Sequence, residues 1–178
     1  MIFVFLAPGF EESEAICPID ILRRAGLDVV TVSITDDREV TGAHGITVKA
    51  DVCLADMPDC HPDAILLPGG MPGTLNLKAC DALRHYLLKA ERDTLLCAIC
   101  AAPMILGELG LLEGKHATCY PGFEQHLTGA ILGDKVEWDG NVITACGMGV
   151  AMQFGLAIVA ALRGEEAAKT IEKAILLG

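Results

Sequence analysis

Cys100 is the residue whose sequence context most strongly indicates chemistry. It lies in the segment Cys97–Pro103, where an apolar run meets a proline that is well suited to begin a helix. The small residues Ala101 and Ala102 allow a sharp turn, as in a nucleophile elbow that raises one side chain above a sheet. Because a helix N-terminus stabilises a thiolate, we expect a Cys100 pKa below about 7. The alternative is a buried, unreactive cysteine.

Three carboxylates near the start of the chain are candidates for acid–base chemistry. Glu11, Glu12 and Glu14 follow Pro8-Gly9 at the beginning of a predicted helix, where the helix dipole favours negative charge. The dipole alone accounts for two of them. A carboxyl group aimed at a thiolate would have its pKa raised by burial and by the like charge, and in its protonated form it would donate a hydrogen bond to sulfur. Spacing does not choose among the three.

Paired glycines follow another apolar run, in the segment Leu67–Gly73. Gly69 and Gly70 allow backbone N–H groups to approach a ligand closely, as an oxyanion hole requires, and an ordinary tight turn is the alternative. No Gly-Lys-Ser/Thr follows, so this is not a phosphate-binding loop. Gly147 and Gly149 form a weaker signal of the same kind.

The other cysteines allow a redox pair or a metal site. Cys97 and Cys100 have the spacing of a thioredoxin-type dithiol, and with His116 and Cys119 that of a zinc site. However, Cys97 lies inside an apolar run, whereas such cysteines usually begin helices or lie on turns, so we predict no metal. No histidine follows a strand beside the elbow, and a Cys-His protease dyad therefore lacks its base. The remaining cysteines are predicted to be packing or surface residues: Cys17, Cys53, Cys60, Cys80 and Cys146.

These motifs lie at the ends of short apolar runs that alternate with amphipathic stretches. The runs are typical of buried parallel strands, which we predict at Ile2–Ala7, Val29–Ser33, Ala64–Leu67, Thr94–Ile99 and Val142–Ala145. The amphipathic stretches predict helices at Ser13–Ala25, Cys80–Ala90, Pro103–Leu109, Val150–Leu162 and Glu165–Leu176. Turn signals in Thr35–Asp51 suggest a hairpin. The alternation predicts an α/β fold with a mainly parallel sheet and a ligand site beyond the carboxyl ends of its strands.

Composition excludes several classes of function. The 178 residues include 13 Lys and Arg against 24 Asp and Glu, a net charge of −11 with neutral histidines. This charge argues against a nucleic-acid groove and against binding to anionic membranes, and no apolar stretch reaches the ~18 residues of a membrane helix. We find no secretory signal and predict a cytoplasmic protein with reduced cysteines. The length predicts one domain, residues 1–178.

In combination and in this order, the motifs resemble those of the ThiJ/PfpI superfamily, in the branch of the parkinsonism-associated protein deglycase. The resemblance covers essentially the whole chain. It implies a flavodoxin-like three-layer sandwich related to class I glutamine amidotransferases, with a cysteine nucleophile elbow, and a homodimer. The motifs that carry it are Gly9-Phe10-Glu11-Glu12-Ser13-Glu14, Arg23-Arg24-Ala25-Gly26, Leu67-Pro68-Gly69-Gly70, Ala98-Ile99-Cys100-Ala101-Ala102-Pro103 and Phe154-x-Leu156-Ala157-Ile158-Val159.

The resemblance also implies roles for single residues. Cys100 matches the reactive, oxidisable cysteine of the family, and Glu14 matches the protonated glutamate that is hydrogen-bonded to it. Gly69 and Gly70 match the backbone donors beside the sulfur. Arg24 matches an arginine near the site and the dimer interface.

Four departures from the family pattern concern the same pocket. Tyr120 stands before Pro121 where this branch often has a histidine, and with a reference pKa of about 10 it is a poor base. Ala101 follows the nucleophile where protease-like and glyoxalase-chaperone branches place a histidine, which counts against peptidase activity; we keep Ala101 in the predicted site. His44 lies about where the best-known member has an arginine. Gly147-Met148-Gly149-Val150 replaces a Gly-Pro-Gly-Thr pattern and alters one wall.

Two functional hypotheses follow. In the first, the protein is a cofactor-independent enzyme of deglycase or glyoxalase type, whose Cys100 thiolate attacks reactive carbonyls or their protein and amino-acid adducts. In the second, it is a non-catalytic redox sensor or stress chaperone in which Cys100 is oxidised to a sulfinate. A peptidase or amidase is less favoured, as is a role in thiazole biosynthesis, because no phosphate site or kinase signature is present.

Overall fold

A seven-stranded sheet forms the centre of the protein. The computed structural model describes residues 1–58, 60–90 and 93–178. With strands numbered along the chain, the order across the sheet is β10 (Val136–Asp139), β11 (Val142–Ala145), β7 (Leu95–Ile99), β6 (Ala64–Leu67), β1 (Ile2–Leu6), β2 (Val29–Ser33) and β5 (Val52–Cys53). Neighbouring strands are parallel except for the β10–β11 hairpin at one edge.

Helices cover both faces of this sheet. They are α1 (Glu12–Arg24), α2 (Gly73–Ala79), α3 (Asp81–Leu88), α4 (Pro103–Glu108), α5 (Ala151–Arg163) and α6 (Glu165–Ala174). One buried cluster joins the sheet to α1, α5 and α6, and the other joins it to α2, α3 and α4. The side chains of β1 alternate between the clusters, with Val4 in the first and Phe3 and Phe5 in the second. The predicted three-layer α/β architecture is therefore confirmed.

Two smaller sheets lie outside the main one. The first is the antiparallel hairpin of β3 (Glu39–Thr41) and β4 (Thr47–Lys49), which confirms the hairpin predicted within Thr35–Asp51. The second is the parallel pair of β8 (His116–Ala117) and β9 (Ile131–Leu132). The predicted strands Val29–Ser33, Ala64–Leu67 and Val142–Ala145 have the observed bounds, and the other predicted strands and helices differ by one or two residues at their ends.

The sequence interpretation missed α2, β5, β8, β9 and β10. Helix α2 spans only seven residues, and β5 only two. The residues of β10 are half-buried or exposed, so this edge strand lacks a continuous apolar run. Within the described residues, no helix has both the length and the apolar character needed to cross a membrane.

Helix α1, which carries the acidic motif, packs closely against α5. Gly155 makes this possible, because a Cβ atom at that position would lie 3.1 Å from the Cα atom of Pro18 and 3.1 Å from Cδ1 of Ile21. Pro18 lies in the middle of α1 and has no N–H group to donate to the carbonyl of Glu14 four residues earlier. The sheet and α5 together fix the position of the first turn of α1.

Candidate active site

Cys100 lies in the tight turn between β7 and α4. Its φ angle is +63°, in the left-handed region that non-glycine residues seldom adopt. The turn is held from both sides, because the Cys100 N–H donates to the Ala145 carbonyl at 2.8 Å and the Tyr120 N–H donates to the Cys100 carbonyl at 2.8 Å. A strained residue retained at the end of a buried strand is typical of a nucleophile elbow.

The three motifs that follow strands meet because their strands are adjacent. Strands β7, β6 and β1 are neighbours and parallel, so their carboxyl ends lie along the same edge of the sheet. Backbone hydrogen bonds join the loops directly: Glu11 N–H donates to the Gly69 carbonyl at 2.9 Å, and Gly73 N–H donates to the Gly9 carbonyl at 3.0 Å. The three loops are therefore joined into one unit at this edge of the sheet, and their role as a site stays a prediction.

Glu14 is the carboxyl group that faces the thiol. It lies in the first turn of α1, is 1% exposed, and is hydrogen-bonded to Cys100. Its Oε2 atom also accepts a hydrogen bond from the Gly69 N–H at 3.1 Å. Glu11 has a different task, since its side chain caps α1 by accepting a hydrogen bond from the Glu14 N–H at 2.6 Å. The three-dimensional arrangement thus separates residues that spacing left equivalent.

Burial governs the ionisation of Glu14. It raises the pKa of this carboxyl group from 4.5 to about 7, and the negative charge of Glu11 adds to the effect. Hydrogen bonds from Cys100 and from the N–H groups of Gly69 and Met148 oppose the shift. Near neutral pH, Glu14 is accordingly able both to hold and to release a proton.

The Cys100 thiol departs from the sequence-based expectation. Burial and the adjacent Glu14 charge raise its pKa to about 12, although N–H groups of Ala101 and Gly70 favour the thiolate. The expected value below about 7 is therefore wrong, because it considered the helix N-terminus and left out the contact with a carboxylate. The Glu14 carboxylate thus opposes ionisation of the thiol, whereas the thiol stabilises that carboxylate by a hydrogen bond, so Glu14 loses its proton before Cys100 does.

The two glycines have different roles. The Gly69 N–H is engaged by Glu14, whereas the N–H groups of Gly70 and Ala101 face the sulfur. This corrects the expectation that Gly69 is a donor beside the sulfur. Gly69 is nevertheless required sterically, because a Cβ atom there would lie 2.5 Å from Oε2 of Glu14 and 2.6 Å from Cβ of Cys100. Gly70 has a φ angle of +89°, which glycine adopts readily.

Tyr120 forms part of the wall of this site. Its side chain is 51% exposed, while its backbone holds the elbow through the hydrogen bond to Cys100. On the neighbouring loop, a Cβ atom at Gly147 would lie 3.4 Å from the Tyr120 ring and 3.8 Å from Oε1 of Glu14. The weak glycine signal at this position therefore belongs to the same pocket.

Comparison with known proteins agrees with this geometry. The sequence profile of the DJ-1/PfpI family matches residues 1–161. The chain belongs to the DJ-1/PfpI family. It is 39% identical to the Arabidopsis thaliana protein DJ-1 homolog B over 180 residues, which are 99% of this chain and 41% of that protein. The chain thus spans less than half the length of this relative.

Two other family members are similar over nearly their whole length. The Caenorhabditis elegans glutathione-independent glyoxalase DJR-1.2 is 33% identical over 94% of this chain and 90% of its own. The structure of oxidised Toxoplasma gondii DJ-1 superposes with a TM-score of 0.94 at 35% identity, covering 98% of this chain and 97% of that one. The flavodoxin-like architecture of the DJ-1/PfpI family is therefore shared by this chain.

Arg24, which the family resemblance placed near the site, lies at the other end of α1 from Glu14. Its Nε atom pairs with Oδ2 of Asp20 at 2.6 Å, one turn earlier on the same exposed surface. It lines a groove of about 260 Å³ together with Cys17 and Met152. Within one chain, the length of α1 keeps Arg24 away from Cys100, so the prediction that it lines the substrate pocket is corrected.

His44 is held by Glu12, a residue whose importance the spacing did not reveal. Glu12 is buried, and its carboxylate accepts hydrogen bonds from the His44 N–H at 2.7 Å and the Ile46 N–H at 3.4 Å. Its Oε2 atom lies 2.8 Å from Nδ1 of His44. Burial opposes ionisation of Glu12, yet these hydrogen bonds outweigh it and lower its pKa, while the bond to Glu12 raises the pKa of His44.

This arrangement fixes the β3–β4 turn beside the start of α1. Oxygens of Glu11 and Glu12 and a ring nitrogen of His44 lie within 4.8 Å of one another. Both oxygens of Glu12 already accept hydrogen bonds from the turn, so the group has a structural explanation. The buried Glu12 could have been found only by considering contacts between residues more than 30 positions apart in the chain.

The redox and zinc alternatives for Cys97 and its neighbours lose their support. Cys97 is buried inside β7, and this burial raises the pKa of its thiol. The His116 ring pairs instead with Asp139, with Nδ1 lying 3.2 Å from Oδ2. Cys97 thus lies inside β7, whereas Cys100 lies in the turn that follows it, and the two cysteines have different environments.

Proposed function

We propose that this protein is a cofactor-independent enzyme that converts small reactive carbonyls, or their adducts on proteins and amino acids, into hydroxy acids. The observation that carries the proposal is the contact of the Cys100 thiol with the buried Glu14 carboxyl group at a strained elbow. N–H groups of Gly70 and Ala101 face the same sulfur. A relative named as a glutathione-independent glyoxalase supports the same chemistry.

The first step joins the substrate to the enzyme. The sulfur of Cys100 attacks the aldehyde carbon of a 2-oxoaldehyde: a C–S bond forms, the carbonyl π bond breaks, and the S–H proton passes to the Glu14 carboxylate. The resulting oxyanion is stabilised by backbone N–H groups, for which Gly70 and Ala101 are the donors nearest the sulfur. Glu14 then returns the proton to the oxyanion, which gives a hemithioacetal. Its pKa of about 7 suits Glu14 to both transfers near neutral pH.

The later steps move a proton and release the product. The Glu14 carboxylate removes the proton from the former aldehyde carbon and returns it to the adjacent carbon, while the hydroxyl proton moves from the oxygen of the first carbon to that of the second. The hemithioacetal thereby becomes a 2-hydroxy thioester. Water then cleaves the C–S bond, which releases the hydroxy acid and restores the Cys100 thiol. The net reaction is addition of water with an internal transfer of hydrogen, so it requires no external oxidant or reductant.

The test is turnover of methylglyoxal, measured as lactate formed. Cys100→Ser should reduce lactate formation to the rate without enzyme, because serine is a far weaker nucleophile at neutral pH. Glu14→Gln should lower the rate about 100-fold, since glutamine retains hydrogen bonding but does not shuttle a proton. Cys60→Ser alters an exposed cysteine away from the site and should leave turnover unchanged. Full activity in Cys100→Ser would exclude the mechanism.

A non-catalytic redox sensor or stress chaperone is the second candidate. The same N–H groups and the protonated Glu14 are suited to bind the oxygens of a Cys100 sulfinate. The sensor is favoured if mild peroxide oxidises Cys100 selectively, as seen by mass spectrometry, while methylglyoxal turnover stays undetectable. Selective oxidation accompanied by turnover assigns the site to catalysis.

We further propose a homodimer formed through α1 and α5. Ile16 on α1 and Met152 on α5 are each 42% exposed, and the groove that contains Arg24 and Cys17 lies beside Met152. A dimer through this surface would give Arg24 the interfacial location that the family resemblance implies. We also propose that the chain forms one domain. Because all eight cysteines are free thiols, we propose a cytoplasmic location for it.

A further inference from the structure

Cys119 and Cys146 form a second pair of thiols that the mechanism above does not use. Cys119 is buried, Cys146 is half-buried, and both are free. Each directly precedes a residue of the pocket wall, Tyr120 in one case and Gly147 in the other. They therefore lie on two loops that border the Cys100 elbow without belonging to it.

The two loops run side by side. The Thr118 N–H donates to Oγ1 of Thr144 at 2.9 Å, one or two residues before the two cysteines. Just after them, the ring of Tyr120 lies 3.4 Å from the point where a Gly147 side chain would begin. Because the segments touch on both sides of the cysteines, Cys119 and Cys146 are held near each other.

The electrostatics agree with this proximity. Burial raises the pKa of the Cys119 thiol to about 11, and the charges of Glu124 and Cys146 raise it further than burial alone would. The N–H of Phe123 faces the Cys119 sulfur and opposes this shift. A thiolate at Cys146 therefore acts directly on Cys119, while the partial exposure of Cys146 gives a small oxidant access to its sulfur.

The same loops hold the backbone of the nucleophile. The carbonyl of Ala145, one residue before Cys146, accepts the Cys100 N–H at 2.8 Å. The N–H of Tyr120, one residue after Cys119, donates to the Cys100 carbonyl at 2.8 Å. Any covalent link between the loops acts on both backbone anchors of Cys100.

We propose that Cys119 and Cys146 are a redox-active dithiol whose oxidation to a disulfide alters the reactivity of Cys100. With hydrogen peroxide as oxidant, the Cys146 sulfur attacks one peroxide oxygen, an S–O bond forms, the O–O bond breaks, and the departing hydroxide takes up the proton lost by the Cys146 thiol and leaves as water. The Cys119 sulfur then attacks the Cys146 sulfenic sulfur; an S–S bond forms, the S–O bond breaks, and the Cys119 proton leaves in a second water. Two electrons pass from the thiols to peroxide.

The disulfide affects the elbow because its geometry is narrow. Bridged cysteines require Cα atoms about 4.4 to 6.8 Å apart, so closing the bond fixes the separation of the loops that hold Cys100. The strained φ angle of Cys100 depends on those hydrogen bonds. We expect the rate of Cys100 alkylation to change about ten-fold between the dithiol and disulfide forms.

The first experiment tests the bond itself. Cys100→Ser protein is treated with a small excess of hydrogen peroxide, and its peptides are mapped without reduction. We expect a loss of two hydrogen masses and a linked peptide pair that contains Cys119 and Cys146. Cys146→Ala in the same background should lose the link, whereas Cys60→Ala should retain it. Separate oxidation of the two cysteines to sulfinates, or a link from Cys146 to another cysteine, would overturn the proposal.

The second experiment tests the effect on Cys100. Diamide, which oxidises dithiols to disulfides, is applied to the protein with Cys100 present, and iodoacetamide alkylation of Cys100 is followed by mass spectrometry. The alkylation rate should change in this protein and stay constant in Cys146→Ala and in Cys119→Ala. An unchanged rate in protein shown to contain the disulfide would refute the link to reactivity. Alkylation does not depend on methylglyoxal turnover, so the outcome is separate from that of the proposed enzymatic function.

Discussion

At the scale of single residues, the proposed chemistry depends on how Glu14 and Cys100 affect each other's ionisation. Glu14 is buried and Cys100 is half-buried. The Glu14 charge raises the pKa of the thiol, whereas the hydrogen bond from the thiol favours the Glu14 carboxylate. The N–H donors of Gly70 and Ala101 favour the thiolate, but burial and the Glu14 charge outweigh them, so the first proton lost comes from the carboxyl group.

The pH dependence of Cys100 alkylation tests this electrostatic effect. In the unaltered protein the proton lost near pH 7 comes from Glu14, so we expect the alkylation rate to keep rising well above pH 7 as the thiol ionises. In Glu14→Gln the carboxylate charge that raises the thiol pKa is absent, so the midpoint of the rise should lie at lower pH than in the unaltered protein. Alkylation of the exposed Cys60 in the same sample corrects for reagent loss. A midpoint that does not shift in the variant would show that the Glu14 charge does not act on the thiol.

Glu14 should also lower the stability of the protein above neutral pH. Its pKa is raised from 4.5 to about 7 by folding, so between these values the folded state keeps a proton that the unfolded state has lost. Stability therefore falls as pH rises through this range, by about 3 kcal/mol at ~1.4 kcal/mol per pKa unit. Urea unfolding at pH 7.5 should show Glu14→Gln to be more stable than the unaltered protein, with the advantage lost at pH 4.

Glu12→Gln is the matched control for this stability measurement. Folding lowers the pKa of Glu12, so its contribution to stability is present above its unfolded value and is lost as the pH falls through the folded value. At pH 7.5 the Glu12 variant should therefore be less stable than the unaltered protein. If both variants were more stable, or both less stable, than the unaltered protein at pH 7.5, the environments assigned to Glu12 and Glu14 would be contradicted.

At the scale of elements, the site depends on the close approach of the loops that follow β6 and β7. Gly69 lies between Glu14 and Cys100, and the alanine methyl group would overlap both. We expect Gly69→Ala to separate the pair and to lower the rate of methylglyoxal turnover at pH 7.5 about 100-fold, as small displacements in catalytic sites do. Gly149→Ala, at a glycine with open space around it, should have no such effect. Unchanged reactivity in Gly69→Ala would show that the contact is not needed.

The contact between α1 and α5 positions Glu14 from the other side. A Cβ atom at Gly155 would lie 3.1 Å from the backbone of Pro18, so a larger residue must push the helices apart. Gly155→Val should lower the free energy of unfolding by about 1 to 3 kcal/mol, the usual range for overpacking. Urea unfolding measures this loss, and Gly149→Ala again serves as the control. An unaltered free energy of unfolding would mean that α1 and α5 accommodate the larger side chain without moving apart.

At the scale of the whole molecule, the acidic surface and one apolar face bear on the proposed partners. The net charge of −11 disfavours nucleic acids and anionic membranes. Exposed Ile16 and Met152 are the apolar residues through which the proposed dimer of α1 and α5 would form.

Sedimentation velocity tests the proposed dimer. The unaltered protein should sediment as a dimer, and the double variant Ile16→Glu and Met152→Glu should sediment as a monomer because it places carboxylates in the apolar contact. Leu88→Glu, at a position 55% exposed on α3, should remain dimeric. A monomer in the unaltered protein, or a dimer in the double variant, would argue against this interface.

The sequence by itself determined which residues could perform chemistry and which segments form the five inner strands of the sheet. Apolar runs identified β1, β2, β6, β7 and β11, since buried parallel strands carry a local signal in every residue. The glycine pair and the Cys100 elbow were also recognisable locally, because a turn needs small residues at fixed positions. Family resemblance chose Glu14, a choice that the spacing of the three glutamates left open.

Only the tertiary structure decided how those residues interact. Strand order brings residues 14, 69 and 100 together, and no local pattern records that order. The contact assigns the Gly69 N–H to Glu14 rather than to the sulfur, and it reverses the expected direction of the Cys100 pKa shift. The neighbouring loops with Cys119 and Cys146 are likewise joined only in space. In each case the decisive interaction links distant parts of the chain, and its strength depends on burial that arises only when the sheet and helices pack.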